Sequence, residues 1–322
     1  MATADQLKAL FKSYGEGDQD RFLSIGMQIA AHEARAGKTR VADQLRSLID
    51  NAKRDRAVVG SVDPVPITRP NVQLDGLVSA SYPKTRLSDM VLDDDIRERL
   101  DRVVLEYRRG DTLQSFGLTP RRKLLLVGPP GCGKTMTASA LAGELGLPLM
   151  FVELQSLITR YMGETAAKLQ LVFDGMKQSR GVYLFDEFDA IGACRTGNND
   201  VGEIRRVLNS FLQFMERDQS DSLIVAATNL HDVLDAALFR RFDDIIEYGL
   251  PSSGMICDVV RNRLSMFDLD GIGWTQIEMS ATGLSHAEIV RACEDAAKVS
   301  VLDNALTVNT EQLVKALEQR QD

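Results

Sequence analysis

The sequence predicts an α/β fold: a parallel five-stranded sheet wrapped by helices, a C-terminal helical piece, and a small N-terminal all-helical domain. Three observations predict it. From residue 122 onward, short apolar runs alternate with helix-length segments, the signature of a parallel sheet covered on both faces. One of these runs, Lys123-Leu124-Leu125-Leu126-Val127, leads into a glycine-rich loop and then a helix-friendly stretch. After Pro251 the strand-like runs stop and helical periodicity alone continues.

Taken in order, residues 1–57 read as short helices. Leu7, Leu10 and Phe11 share one face, and Gly15 and Gly17 break it. Phe22, Ile25, Ile29 and His32 mark a second helix, and Val41, Leu45, Leu48 and Ile49 a third. So small a core suits an adaptor that binds a partner better than a catalyst. Residues 58–85 hold Pro64, Pro66, Pro70 and Pro83 with little apolar periodicity, which predicts a linker. Residues 86–251 form the α/β unit. It opens with a helix over Leu87–Arg109, whose Asp93-Asp94-Asp95 suits a helix N-terminus. The expected strands are 123–127, 149–153, 182–186, 222–227 and 244–248. Residues 252–322 form the helical lid, with helices over 254–268, 285–303 and 310–319.

Composition narrows the function. The chain of 322 residues carries a net charge of −8, with residues 1–56 at +2 and the remainder at −10, which disfavours nonspecific nucleic-acid binding. No apolar run approaches the ~20 residues of a membrane span. The N-terminal residues are polar, without a secretory apolar core, so no membrane association and a cytoplasmic setting are expected. Cys132, Cys194, Cys257 and Cys293 are scattered and read as reduced thiols, not a disulfide framework or zinc site. His32, His231 and His286 are the three histidines, and none sits in a hydrolase triad motif.

Gly128-Pro129-Pro130-Gly131-Cys132-Gly133-Lys134-Thr135, followed by Met136, is a G-x-x-x-x-G-K-T phosphate loop (P-loop) in its required strand–loop–helix context. Small residues let backbone N–H groups turn inward and cradle phosphate oxygens at a helix N-terminus. Lys134 reaches the β and γ phosphates, and Thr135 offers its hydroxyl to Mg²⁺. Val182-Tyr183-Leu184-Phe185 is a buried-strand run ending in Asp186 and Glu187. Asp186 is placed to hold Mg²⁺, and Glu187 to orient or deprotonate the attacking water. Asn229 ends the next strand, where its amide would bridge water and γ phosphate. An Asn there would equally cap the following helix.

Together these residues resemble the AAA+ ATPases, specifically the AAA clade of P-loop NTPases. Residues 128–135 resemble its Walker A motif, Phe185-Asp186-Glu187-Phe188-Asp189 its Walker B motif, and Ala227-Thr228-Asn229 its sensor 1. The resemblance spans about residues 86–322. It implies a large α/β subdomain, a helical lid, ATP and Mg²⁺ as ligands, and a homo-oligomeric ring, usually a hexamer, with ATP at subunit interfaces. It makes Arg240 and Arg241 the arginine fingers; they are contiguous before Phe242, as in spastin-like members. Met90 and Val91 fall where the family contacts adenine. Gly283-Leu284-Ser285-His286-Ala287-Glu288 is similar to its lid motif, with His286 replacing a glycine near adenine and ribose. Tyr161, Met162 and Gly163 resemble the first pore loop, which grips polypeptide, and the stretch around Asn198-Asn199-Asp200 resembles the second.

The whole chain also resembles bacterial AAA ATPases that pair with a subtilisin-like serine protease in antiphage defence. The leading reading is therefore an ATP-driven protein remodeller or unfoldase acting on a polypeptide substrate. One alternative is a nucleotide-controlled assembly switch that regulates a partner enzyme without threading. Another is a DNA-directed helicase or clamp-loader relative, disfavoured by the acidic charge and the aromatic–apolar tip Tyr161-Met162.

Overall fold

The computed structural model describes residues 74, 76–154, 162–188, 200–229, 239–303 and 307–321. All belong to one compact unit, Val65–Asp322. The N-terminal module expected over 1–57 lies outside the described residues.

The elements run β1 (Val78–Ser81), a 3₁₀ turn (Leu87–Asp89), α1 (Asp94–Arg108), α2 (Gly110–Ser115) and β2 (Lys123–Val127). Then come α3 (Lys134–Leu145), β3 (Leu149–Val152), α4 (Met162–Gln178), β4 (Val182–Phe185), α5 (Asp200–Arg217), β5 (Leu223–Thr228) and β6 (Asp244–Glu247). The C-terminal helices are α6 (Ser253–Arg263), α7 (Trp274–Ala281), α8 (His286–Leu302) and α9 (Thr310–Glu318).

The sheet has six strands in the order β1-β3-β4-β5-β2-β6, which corrects the expected five. The five expected strands are parallel neighbours, and the sixth, β1, joins the edge antiparallel to β3 with Val78 opposite Val152. It falls inside the stretch expected to be linker. Val78-Ser79-Ala80-Ser81 has weak strand propensity. The strand forms because Leu74, Leu77 and Val78 bury against the sheet and Glu153 N–H donates to Leu77 C=O at 3.1 Å. A second difference concerns the expected helix over 87–109. Its first residues are a 3₁₀ turn, and Met90 to Asp93 run extended before α1 begins at the acidic cluster. The lid also contains α7, a short helix that burial of Ile277 and Ala281 stabilises.

Alternation along the strands sends side chains to two cores. Leu125, Val127, Tyr183, Phe185, Ile224 and Ala226 face Phe173, Met176, Phe211 and Met215 of α4 and α5. Leu124, Leu126, Val182, Leu184, Val225 and Ala227 face Ile96, Leu100, Val103, Ala138 and Leu141 of α1 and α3. Burial of each large apolar side chain contributes about 1.5–3 kcal/mol. A third core holds the lid together around Val260, Ile277, Ile289, Cys293 and Leu313.

The chain between β1 and the 3₁₀ turn straps α3. A Cβ at Gly143 would lie 2.0 Å from Thr85 O, so only glycine admits this crossing. Arg86 Nη1 donates to Gly143 O at 2.6 Å and extends the strap.

At the opposite end of the sheet from the glycine loop, Arg122 pairs with the fully buried Asp218 at 3.1 Å. Asp218 also accepts from Ser220 N–H and Oγ at 3.2 and 3.0 Å. Arg122→Ala would strand that carboxylate. We expect the unfolding free energy to fall by about 3 kcal/mol, measured by chemical denaturation.

Candidate functional site

The site lies along the carboxyl ends of β2, β4 and β5, where sheets of this type open a crevice. Strand order explains its assembly. β5 is hydrogen-bonded to both β2 and β4, with Thr228 opposite Val127 and Ala226 opposite Phe185. The loop after β2, the carboxylates after β4 and Asn229 after β5 therefore leave the sheet side by side.

The loop after β2 turns on Gly128, Gly131 and Gly133 at φ 152°, 78° and 96°. Each glycine also admits a neighbour. A Cβ on Gly128 would lie 2.3 Å from Tyr248 O, and one on Gly131 would lie 2.6 Å from Ser285 Oγ. One on Gly133 would lie 3.4 Å from Met90 Cε. The first segment leaves β6, the second enters α8 of the lid, and the third precedes α1. Thr137, on α3, braces the loop from behind. Its N–H and Oγ1 donate to Gly133 O at 2.8 and 3.1 Å. Tyr248 OH lies 2.7 Å from the same Oγ1. Burial pushes the Tyr248 hydroxyl up to about 12, so it stays protonated. Sequence reasoning missed Tyr248, since an aromatic after an edge strand carries no motif.

Lys134 is buried at the start of α3, and its ammonium donates to Gly128 O and Pro129 O, both at 2.7 Å. Thr135 Oγ1 donates to Asp186 Oδ2 at 2.6 Å, so the structure brings the two expected Mg²⁺ ligands together. Asp186 Oδ1 accepts from Glu187 N–H at 2.9 Å. Glu187 has φ 51°, the one positive value outside glycine among the described residues. Left-handed backbone costs a non-glycine residue of order 1–3 kcal/mol, and such strain clusters where a side chain must be aimed. Asn229 is exposed beside the loop, where Gly128 N–H donates to Thr228 O at 3.2 Å.

The residues fit a magnesium-bound triphosphate. A cradle that turns on three glycines faces the start of α3, and Thr135 and Asp186 supply the oxygen ligands that a hard cation takes. Pro129 and Pro130 lie within the cradle, and Met136 is exposed on the first turn of α3. Cys132 is buried in it, and burial raises its thiol above the ordinary range, so it is held as the neutral thiol.

The lid meets the loop directly: Ala287 N–H donates to Gly131 O at 3.0 Å. Ser285 caps α8 in a capping box with Glu288. Bonds from the Ser285 backbone and hydroxyl hold the Glu288 carboxyl below the usual carboxylate range. Met90 packs into the α1–α3 core, whereas Val91 packs against the lid core, so this segment spans both. His286 is half-buried at the first position of α8. Burial lowers its pKa, partly opposed by Asp93.

The two arginines differ. Arg241 Nε pairs with Glu216 at 2.9 Å and is half-buried, whereas Arg240 is exposed. Tyr161 lies outside the described residues, and Met162 and Gly163 open α4. Of the second pore-loop stretch, 195–199 lies outside the described residues and Asp200 opens α5. Among the described residues no helix is long and apolar enough to cross a membrane.

Gly131→Ala should weaken ADP binding at least about tenfold by calorimetry, because the added methyl meets Ser285 and the φ of 78° is unfavourable for an L-residue.

Residues 124–250 match the model of the ATPase family associated with various cellular activities (AAA). Along 321 residues the chain is 35% identical to y4kL of Sinorhizobium fredii, an uncharacterized AAA family ATPase; the match covers 99% of this chain and 95% of the relative. It is 34% identical over 234 residues to the proteasome-activating nucleotidase of Saccharolobus solfataricus, covering 70% of this chain and 60% of that one. It is 30% identical over 254 residues to the ATP-dependent zinc metalloprotease FtsH of Mycoplasma mobile, covering 74% of this chain and 35% of that one. This chain thus spans only part of the nucleotidase and the metalloprotease, and nearly all of y4kL. A phosphate loop, a strand-end carboxylate pair and a lid docked on the loop, together with full-length similarity to y4kL, establish that the chain belongs to the AAA family of ATPases.

Proposed function

We propose that this ATPase assembles into a ring, of six subunits in the usual arrangement, that unfolds or remodels a polypeptide in the cytoplasm. The observation that carries the ATPase half is the contact of Thr135 with Asp186 beside the strained Glu187. The polypeptide half is supported by similarity to a proteasome-activating nucleotidase and to FtsH, and by the Tyr161-Met162-Gly163 sequence at the start of α4. As its partner we propose a subtilisin-like serine protease in antiphage defence, on the strength of the whole-chain resemblance. Residues 1–57 would then provide the adaptor.

Mg²⁺ held by Thr135 and Asp186 would supply fixed positive charge against the phosphate oxygens. Lys134 offers a second positive charge from the buried start of α3 and is held there by two loop carbonyls. The loop N–H groups complete the cradle. Glu187, exposed at the end of β4, takes the proton of the attacking water. Asn229 orients that water from the neighbouring strand end. Arg240 is the finger offered to a neighbouring subunit, and Arg241, anchored on Glu216, positions it.

Four substitutions test the proposal. Glu187→Gln should lower ATP turnover by about 10²–10³-fold with nucleotide binding retained. Arg240→Ala should lower it by about 10³-fold, and Arg241→Ala by less. Tyr161→Ala should spare turnover and abolish unfolding of a tagged fluorescent substrate. Unfolding that survives Tyr161→Ala would replace threading with a nucleotide-controlled assembly switch.

A further inference from the structure

Thr137 and Tyr248 form a buried hydroxyl pair behind the phosphate loop, with the two oxygens 2.7 Å apart. Such a pair gains a fold little over two apolar groups of the same shape, because each hydroxyl must leave water before it is bonded again. Thr137 Oγ1 also lies 3.1 Å from Gly133 O. A carbonyl only accepts, so the order Tyr248 O–H to Thr137 Oγ1–H to Gly133 O gives each hydrogen an acceptor. The chain of bonds starts on the residue after β6 and ends on the last glycine of the loop, directly before Lys134.

Tyr248 also holds the other end of the loop. Its N–H donates to Val127 O at 2.7 Å, and its carbonyl oxygen stands 2.3 Å from where a Cβ on Gly128 would lie. One residue thus touches the entry of the loop through its backbone and reaches the exit through its side chain. It is anchored in turn, although β6 is the edge of the sheet. Asp244, at the start of β6, pairs with Arg99 and with Arg121, the latter at 3.0 Å. Arg99 Nη2 also donates to Ile245 O. The span from Gly128 to Gly133 sets where the loop N–H groups converge, and a site of this kind tolerates displacements of only about 0.5 Å.

We propose that Tyr248 is a positioning residue for phosphate binding: its hydroxyl, acting through Thr137, holds Gly133 at the distance from Gly128 at which the loop fits the phosphates of the nucleotide. The inference rests on the reading of the loop as an ATP site. It assigns the Tyr248–Thr137 contact to ligand affinity and not to stability. Removing the Tyr248 hydroxyl alone leaves Thr137 bonded to its carbonyl. Removing the Thr137 hydroxyl alone leaves the Tyr248 hydroxyl buried without a partner, which costs stability. Removing both relieves that cost and leaves the loop unbraced. Stability and affinity therefore part in the double variant.

The test is calorimetric titration of the full chain with ADP and Mg²⁺, beside chemical denaturation without nucleotide. The proteins are wild type, Tyr248→Phe, Thr137→Val, the double variant carrying both changes, and Thr137→Ser. Tyr248→Phe and Thr137→Val should each bind ADP about 5-fold more weakly, the worth of one neutral hydrogen bond. The double variant should also bind about 5-fold more weakly, and not about 25-fold, because the two hydroxyls act as one unit. It should regain the denaturation midpoint that Thr137→Val loses. Thr137→Ser, which keeps the hydroxyl, should bind ADP as the wild type does. The β-phosphorus resonance of bound ADP should move in Tyr248→Phe and keep its place in Thr137→Ser. Wild-type affinity in folded Tyr248→Phe, or an affinity that recovers with the midpoint in the double variant, overturns the assignment. Failure of the wild type to bind ADP overturns the ATP-site reading itself.

Discussion

Everything at this site depends on a loop that carries no side chain at three of its turning points. Gly128, Gly131 and Gly133 let three distant segments reach one turn: Tyr248 from the end of β6, Ser285 and Ala287 from the lid, and Met90 from the segment before α1. A Cβ at either of the first two would force backbone or lid to move. The loop is thus a phosphate cradle and also the joint between the α/β unit and the helical lid. Whatever occupies the cradle acts on both.

The sheet and the lid contribute to the site in different ways. The sheet fixes the chemical groups. β4 is buried on both faces, so Asp186 and Glu187 emerge from a rigid support, and the strained φ at Glu187 is maintained by the packing around Phe185 and Phe188. The lid has a separate core, and one backbone hydrogen bond, from Ala287 to Gly131, joins its first-turn residues to the loop. Val91, packed against the lid core, and Asn262 Nδ2, which donates to Asp89 O at 3.3 Å, tie the lid also to the segment before α1.

The sequence disclosed the parallel strands and the loop because both depend on local pattern. Buried strands such as Leu124–Val127 are continuous apolar runs, and the phosphate loop requires its glycines at set positions. The strand Val78–Ser81 was illegible for the opposite reason. It is short, with two serines and an alanine beside its single valine, the surrounding prolines suggest a linker, and only pairing with β3 makes it a strand. Tyr248 and Thr137 were missed because their role depends on a contact between residues 111 positions apart. The two arginines look equivalent in sequence, and Glu216 on α5 distinguishes them. His286 stood out only as a departure from a motif; its orphaned nitrogens became visible with the fold.

The proposed action on polypeptide separates a remodeller from a nucleotide-controlled switch. The most direct measurement is steady-state ATP turnover with and without a permanently unfolded protein, at constant enzyme concentration. A remodeller that grips its substrate should turn over ATP several-fold faster with the unfolded chain present. Turnover indifferent to unfolded protein at saturating concentration would contradict the account.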